Sequence, residues 1–422
     1  MEQKIYNEYV EILKEELLPA MGCTEPIAVA YAAAVAVQAL GEKPESVEVN
    51  VSANIIKNVK SVVVPCTGGL RGIGAAVCAG IVAGCPEKEL EILEEITGEQ
   101  KVEMKKMLDT MPMTIRESDK EYIFDIQIKA CAGGHSGYVE IAGFHTNVIC
   151  VKKDDEIIRE KAYEEQGSSC ATDRSLLTVE KIIEFADCVD VADVEEVLQR
   201  QIDYNWAIAE EGMTGKWGAA IGKTLMEAYG NSVHNRAKAM AAAGSDARMN
   251  GCELPVVINS GSGNQGMTTS LPVIVYAKEL NVSKEMMLRA LVVSNLITIH
   301  MKTGIGRLSA YCGAISAGCG AGAGICYLYG GRAYEISHVI VNAVAINSGV
   351  VCDGAKASCA AKIASAVEAG LLGLQMQKNG KQFYGGDGLV EKGVENTIRN
   401  IGELAKKGMR ETDKTIIRIM TR

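Results

Sequence analysis

Residues 308–331 read LSAYCGAISAGCGAGAGICYLYGG, and this stretch decides the class of the fold. It contains no charged side chain, and seven of its 24 residues are glycine. An uncharged run of this length could span a membrane, but its glycine content and the lack of a clear stop-transfer signal at its flanks argue otherwise. The stretch therefore predicts a buried helix pair in a large helical bundle, and no membrane span is expected.

Helical patterns continue on both sides of this stretch. Strand patterns nearly vanish from about Leu177 onward, and helices are predicted over 178–188, 193–228, 233–244, 267–280, 284–300, 308–328, 334–349, 356–377 and 391–408. Two further helices are predicted near the start of the chain, over 4–18 and 26–40. Because both are apolar and no strand lies between them, we expect them to pack with the bundle.

The hydrophobic period changes from helix to strand near Glu45. Residues 46–53 (SVEVNVSA) alternate as a half-buried strand does, and 121–130, 137–143 and 147–158 predict an antiparallel meander. The fold class is therefore α+β. We expect a mostly helical domain formed by residues 1–44 and 166–422, with an inserted smaller α+β domain at 45–165 that contains an antiparallel sheet.

The composition of the 422 residues limits the class of function. The formal net charge is −10 and no long basic run occurs, which disfavours a nucleic-acid partner. The N-terminal residues 1–22 are amphipathic and lack the apolar core of a signal peptide, so a cytoplasmic location is expected. Fourteen cysteines in a reducing compartment are not expected to form a disulfide framework. A small-molecule ligand is the expected partner, and a homo-oligomer is compatible with the sequence.

Three cysteines in the C-terminal half could bind an iron–sulfur cluster. Cys352 follows Cys312 by 40 residues, and Cys359 follows Cys352 by seven, about two turns of a helix. The surrounding glycines would leave room for a cluster and expose amides to its sulfides. Packing cysteines in a Gly/Ala bundle explain the spacing equally well. The pair Cys319 and Cys359 is also 40 residues apart, so the register of the ligands stays open.

Cys23 lies in the turn between the two N-terminal helices, directly before the potential cap Thr24. A helix N-terminus favours a thiolate, which suits a nucleophile or a general base of low pKa; a buried structural cysteine is the alternative. Residues 259–266 (NSGSGNQG) precede an apolar helix and predict a carboxylate cradle. The five scattered histidines disfavour a zinc hydrolase, and Lys302 is a poor candidate for a pyridoxal phosphate lysine.

Four segments together resemble the L-cysteine desulfidase family, which is related to the α chain of the iron–sulfur L-serine dehydratases. They are GCTEP (22–26), NSGSGNQG (259–266), Cys312 and CDGAKASC (352–359), and the resemblance covers nearly the whole chain. It implies a carbon–sulfur lyase that converts L-cysteine to pyruvate, ammonia and hydrogen sulfide with a [4Fe–4S] cluster and without pyridoxal phosphate. The roles it implies are cluster ligands Cys312, Cys352 and Cys359, the base Cys23, and substrate-binding Thr24 and Asn264.

Two departures from the serine dehydratase pattern favour the desulfidase branch. Gly354 follows Cys352-Asp353 where those enzymes usually have proline, and the gap to Cys359 is shorter than theirs. No cysteine follows Cys359 to cap the open iron of a cluster. L-serine stays open as a second substrate, and a serine dehydratase is the first alternative. An alternative of another class is a non-catalytic iron–sulfur redox sensor.

Overall fold

The fold is known from a computed structural model that describes residues 1–120, 122–163, 172–306 and 308–420. The expected domain boundary at 165/166 lies outside these ranges. The described α-helices are α1 (Gln3–Glu16), α2 (Thr24–Leu40), α3 (Ala53–Val59), α4 (Gly72–Ala83), α5 (Gly98–Thr110), α6 (Val179–Cys188), α7 (Glu195–Met213), α8 (Ile221–Tyr229), α9 (Val233–Met249), α10 (Gly263–Glu279), α11 (Lys284–Ile305), α12 (Gly313–Leu328), α13 (Ala333–Ile346), α14 (Cys359–Lys378), α15 (Val394–Glu403) and α16 (Arg410–Met420).

Six of the eight described strands form one sheet, in the order β3-β2-β4-β5-β6-β7. The strands are β1 (Pro19–Met21), β2 (Ser46–Val51), β3 (Met113–Glu117), β4 (Asp125–Ala132), β5 (His135–Ala142), β6 (Val148–Lys153), β7 (Glu156–Glu160) and β8 (Pro255–Val257). β2 pairs parallel with β3, and every other neighbouring pair in this sheet is antiparallel. The meander expected after β2 therefore exists as β4 to β7, while the strand β3 was not predicted. The protein is of mixed α+β class.

α2 packs on the sheet and on α4, and not with the C-terminal helices as its apolar pattern led us to expect. An ideal Cβ at Gly137 of β5 would lie 2.1 Å from the Ala36 carbonyl oxygen, and one at Gly80 of α4 would lie 1.9 Å from that of Ala30. Such close approaches require glycine opposite a helix surface of small residues. The helix is buried nearly all round, so its periodicity could not indicate which layer covers it.

The remaining large helices form a second core around α12, which lies against α10, α11, α13 and α14. The uncharged stretch at 308–331 thus contains one buried helix instead of the expected pair. α12 and α14 touch backbone to backbone, because an ideal Cβ at Gly318 would lie 2.3 Å from the Ala366 carbonyl oxygen. In the described ranges, no helix combines the length and the apolar character that crossing a membrane requires.

Two short strands pair at the point where the two cores meet. β1 and β8 pair antiparallel, with Ala20 opposite Val256. β1 ends two residues before Cys23, and β8 ends two residues before Asn259. The pairing therefore brings the turn before α2 next to the glycine-rich loop before α10, although more than 200 residues separate them in the chain.

Candidate active site

A cavity of about 120 Å³ lies where the N-terminal ends of α2, α10, α12 and α14 meet. Five of the six residues predicted for the site line it: Cys23, Asn264, Cys312, Cys352 and Cys359. The other charged or amide side chains in its wall are Glu25, Lys57, Asn58, Arg248, Gln265, Lys302 and Lys362, of which the sequence analysis singled out only Lys302. A cluster of acids, bases and thiols in one cavity is typical of a catalytic site.

Cys312 and Cys352 are held side by side by the backbone. The amide of Cys312 donates to the Val350 carbonyl at 3.1 Å, and the amide of Cys352 donates to the Ala310 carbonyl at 2.7 Å. These bonds flank a bridge between Tyr311 and Val351. Two thiols 40 residues apart in the chain thereby become neighbours within hydrogen-bond reach.

The electrostatics of this pair favour one thiolate. A hydrogen bond from the Cys312 thiol lowers the pKa of Cys352, and the positive charges of Lys57 and Lys362 lower it further against the effect of burial. The same hydrogen bond, together with burial, raises the pKa of Cys312 well above its usual range. A thiolate is the form of cysteine that binds metal, so the two lysines favour the form that a metal ligand would need.

Cys359 is the first residue of α14 and completes the trio of thiols. Its Sγ donates to the Gly354 carbonyl oxygen at 3.6 Å, and burial raises the pKa of the thiol. Gly354 has φ +91°, and an ideal Cβ there would lie 2.3 Å from the Lys57 carbonyl oxygen. The turn at 352–359 can approach α3 this closely because glycine occupies position 354.

Cys319 and Cys326 lie elsewhere. Both are buried within the core around α12, burial raises the pKa of each to about 12, and neither lines the described cavity. The 40-residue spacing alone left Cys319 and Cys312 as equal candidates. Only Cys312 lies in the cavity wall with Cys352 and Cys359.

Cys23 is the N-cap residue of α2, but its thiol is not the exposed, acidic group that this position predicts. The side chain is buried, and its Sγ donates to Glu25 Oε2 at 3.2 Å. Burial raises the pKa of Cys23 well above its usual range, the Glu25 charge raises it further, and Arg248 opposes both. The expectation of a depressed pKa is therefore wrong, because desolvation and an adjacent carboxylate outweigh the helix dipole.

Cys23 lies close to the trio of thiols. It packs with Val62 and Met249, and Cys359 contacts the same small apolar cluster. The carboxylate of Glu25 is fixed from the other side, since its Oε1 accepts a hydrogen bond from Asn58 Nδ2 at 3.3 Å. The thiol–carboxylate pair thus lines the same cavity as the three cysteines.

Thr24 is not part of the described cavity wall, in contrast to its predicted contact with substrate. Its hydroxyl lies 3.1 Å from both Glu25 Oε2 and the Gly261 carbonyl oxygen, and the side chain is buried. These bonds use its hydrogen-bonding capacity to join α2 to the glycine-rich loop. Thr24 therefore positions Glu25 and the loop.

Arg248 joins the two halves of the site. Its Nε donates to the Gly22 carbonyl at 2.8 Å, and its Nη1 donates to Asn264 Oδ1 at 3.1 Å. Asn264 thus orients the guanidinium beside the loop that was predicted to cradle a carboxylate. The side chain is 3% exposed, and it lies in the alanine-rich, buried C-terminal half of α9, a sequence signal for this role that was missed.

The loop itself is fixed by a buried network of amides. Ser260 Oγ donates to Asn259 Oδ1 at 2.9 Å, and Asn259 Nδ2 donates to Asn295 Oδ1 at 2.9 Å. Asn295 exchanges two further bonds with Gln201. Ser260 has φ +51°, an uncommon conformation for a residue other than glycine. The network holds the loop in this conformation at the edge of the cavity.

The donor set of the cavity contains three thiols that an iron–sulfur cluster could use. In the part of the chain that the structure describes, no three His, Cys, Asp or Glu side chains are grouped as ligands of one ion. A cubane needs no such grouping, because each thiolate binds a different iron. Three features of the cavity are compatible with a cluster. They are the three thiols, the two lysines that favour the thiolate, and the glycine turn beside them.

Comparisons with known proteins identify the family of the chain. The family described as Serine dehydratase alpha chain matches residues 87–418. A UPF0597 protein of Desulfitobacterium hafniense (strain Y51) is 59% identical over 419 residues, covering 99% of this chain and 97% of that protein. UPF0597 proteins of Lachnoclostridium phytofermentans and Treponema denticola are 50% and 43% identical, over 99% and 100% of this chain and 100% and 99% of theirs.

Proposed function

The chain belongs to the serine dehydratase alpha chain family, and we propose that it is an L-cysteine desulfidase. In this proposal it converts L-cysteine to pyruvate, ammonia and hydrogen sulfide by α,β-elimination, without pyridoxal phosphate, in the cytoplasm. One observation carries the proposal. The Cys23–Glu25 pair and the three thiols of Cys312, Cys352 and Cys359 line the same small cavity.

The three thiols would hold a [4Fe–4S] cluster. Such a cluster supplies a Lewis-acidic iron without a protein thiolate, and its softness suits a sulfur leaving group. Lys57 and Lys362 favour the thiolate form that ligation requires. The cysteine spacing that favoured the desulfidase branch supports sulfur over oxygen as the leaving atom.

Arg248 and the loop at 259–262 would bind the substrate carboxylate. The guanidinium is held by its bonds to Gly22 and Asn264, so it presents its charge without a large loss of side-chain entropy. Backbone amides of the loop at the start of α10 add hydrogen-bond donors that also favour a negatively charged group. Fixing the carboxylate also fixes the Cα–H bond relative to Cys23.

Cys23 would remove the α-proton in a two-stage transfer. Its thiol first gives its own proton to Glu25, whose Oε2 is already 3.2 Å from Sγ, and Arg248 favours the resulting thiolate. The thiolate then takes the proton from Cα, the C–H electrons form the Cα=Cβ bond, and the Cβ–S electrons leave with sulfur. The aminoacrylate released hydrolyses to pyruvate and ammonia.

L-serine dehydration is the alternative that a specific finding favours, since the matching family is described by that substrate. The same groups would act, with hydroxide replacing sulfide as the leaving group. A redox sensor is the alternative of another class, in which Cys23 has no chemical role.

Turnover of anaerobically purified protein on both amino acids separates the three. We expect equal amounts of pyruvate and sulfide from L-cysteine, at a higher kcat/KM than pyruvate from L-serine. A higher kcat/KM for L-serine would mean that the protein is a serine dehydratase and not a desulfidase. If neither substrate gives pyruvate although the cluster is present, the redox sensor is the function that remains.

A further inference from the structure

Gln265 is a buried polar residue in the cavity that the elimination chemistry does not use. Its side chain is 6% exposed, and its Oε1 is buried without a hydrogen-bond partner among the described residues. A buried amide oxygen that accepts no hydrogen bond destabilises the folded protein. An unpaired acceptor in a cavity wall is a position at which a ligand can donate.

The amide of Gln265 is held in a fixed place. It lies against Gly313, the first residue of α12, where an ideal Cβ would be 2.6 Å from the amide carbon and 2.8 Å from Oε1. Only glycine at 313 leaves room for the amide beside Cys312. Gln265 also sits in the first turn of α10, so its backbone shares the rigidity of the loop.

We infer that Gln265 accepts a hydrogen bond from the α-ammonium group of the substrate and thereby selects amino acids. The separate positions of one cation and two acceptors in the wall support this orientation. Arg248 beside Asn264 is suited to the carboxylate, whereas the Glu25 carboxylate and Gln265 Oε1 are acceptors without a positive partner among the described residues. An ammonium group is the donor that an amino acid has and that a 2-hydroxy acid or a simple carboxylic acid lacks.

The inference deepens the proposed function and rests on it for the substrate class, but its test needs no turnover. L-alanine and propionate differ only in the ammonium group, and neither has a leaving group. Their dissociation constants are measured by titration of anaerobically purified, iron-containing protein. Iron content and thermal midpoint of each variant are compared with the parent, so that a folding defect is recognised.

Two substitutions distinguish the role of the amide oxygen from that of its NH₂ group. Gln265→Met keeps the approximate shape of the side chain and removes both the amide oxygen and the NH₂ group. L-alanine should then bind about 10- to 100-fold more weakly, while the dissociation constant of propionate changes less than about twofold. Gln265→Glu keeps an acceptor and removes the donor, so L-alanine should stay within about fivefold of the parent. Gln265→Asn, which withdraws the amide by one methylene, should be intermediate and serves if Gln265→Met does not fold.

Three results would overturn the inference. Parent-like binding of L-alanine by Gln265→Met would make the amide a packing group. Equal loss in Gln265→Met and Gln265→Glu would mean that the NH₂ group donates to the carboxylate. A parent that does not bind L-alanine would exclude the subsite altogether. A parent that binds L-alanine but makes no pyruvate would instead contradict the proposed function and leave the subsite intact.

Discussion

The ammonium group of Lys57 lies 2.5 Å from the Asp413 carboxylate, a pair that joins α3 to the last described helix across 356 positions of the chain. The Lys57 side chain is 1% exposed and that of Asp413 is 16% exposed. Lys57 also lines the cavity and lowers the pKa of Cys352. The C-terminal helix therefore neutralises a cation in the wall of the site.

Breaking this pair should cost more than breaking an exposed one. Asp413→Leu leaves the buried Lys57 charge without its partner, and the free energy of unfolding should fall by about 3–5 kcal/mol. The control Lys284→Met removes a pair with Glu195 in which both side chains are about half exposed, and should cost less than about 1 kcal/mol. Denaturant titration measures both. Equal effects would mean that the Lys57–Asp413 pair is solvated.

The assignment of the cluster ligands predicts two groups of cysteine variants. Cys312→Ser, Cys352→Ser and Cys359→Ser should each lose bound iron and activity, because each removes a thiolate from the cavity wall. Cys319→Ser and Cys326→Ser serve as matched controls from the same helix region and should keep both. Iron per chain after anaerobic purification is the measurement. Iron loss in Cys319→Ser but not in Cys312→Ser would reverse the assignment.

Cys23→Ala separates three roles of that thiol. If Cys23 is the base, its removal leaves the cluster in place. Iron content should then match the parent, while pyruvate formation and exchange of the α-proton fall by about 10²–10⁴-fold. If Cys23 is a cluster ligand, the variant should lose iron together with activity. If Cys23 is only structural, the variant should lose about 1–2 kcal/mol of stability and keep its turnover per cluster nearly intact. Iron and turnover measured on one sample distinguish these outcomes.

Glu25→Gln should change the acidity of Cys23 and the turnover in opposite directions. Removing the negative neighbour lowers the pKa of the thiol, so alkylation of Cys23 should begin at lower pH than in the parent. Turnover should nevertheless fall, because the acceptor of the thiol proton is gone. In the parent, turnover should rise toward alkaline pH, since the deprotonated thiol is the minor form. Unchanged turnover in Glu25→Gln would exclude the two-stage transfer.

An open iron predicts sensitivity to oxygen. The proposed ligand set contains three thiolates, so one iron of a cubane would be accessible to oxygen and chelators. Activity should decline within minutes to hours in air and return after anaerobic treatment with iron and thiol. Full and lasting activity in air after chelation would contradict an iron requirement.

The sequence predicted those parts of the fold that have a clear hydrophobic period. Most C-terminal helices and the meander β4 to β7 were predicted, because their patterns repeat with the period of a helix or a strand. The predicted helix 193–228 is interrupted between α7 and α8. α16 was missed, since none of its residues is buried and its pattern does not report a core. The partner of α2 could not be predicted from a helix that is apolar all round.

Part of the lining of the candidate site was predictable from residue type and resemblance. Cys23 and the three thiols at 312, 352 and 359 line one cavity, and their roles stay predictions. The raised pKa of Cys23 could not be predicted, because burial and the Glu25 charge raise it only in the folded protein. Arg248 and Gln265 lie on the neighbouring helices α9 and α10, but their importance lies in contacts with Gly22 and Gly313, which are distant in the chain and which spacing does not encode.

The most direct test of the account is one anaerobic sample in which iron, acid-labile sulfide and products are all measured. We predict about four irons and four sulfides per chain, with pyruvate and hydrogen sulfide formed in equal amounts from L-cysteine. Removal of the iron by a chelator should abolish both products together. An iron-free protein that forms pyruvate at the same rate, or an iron-loaded protein that forms none, would contradict the account.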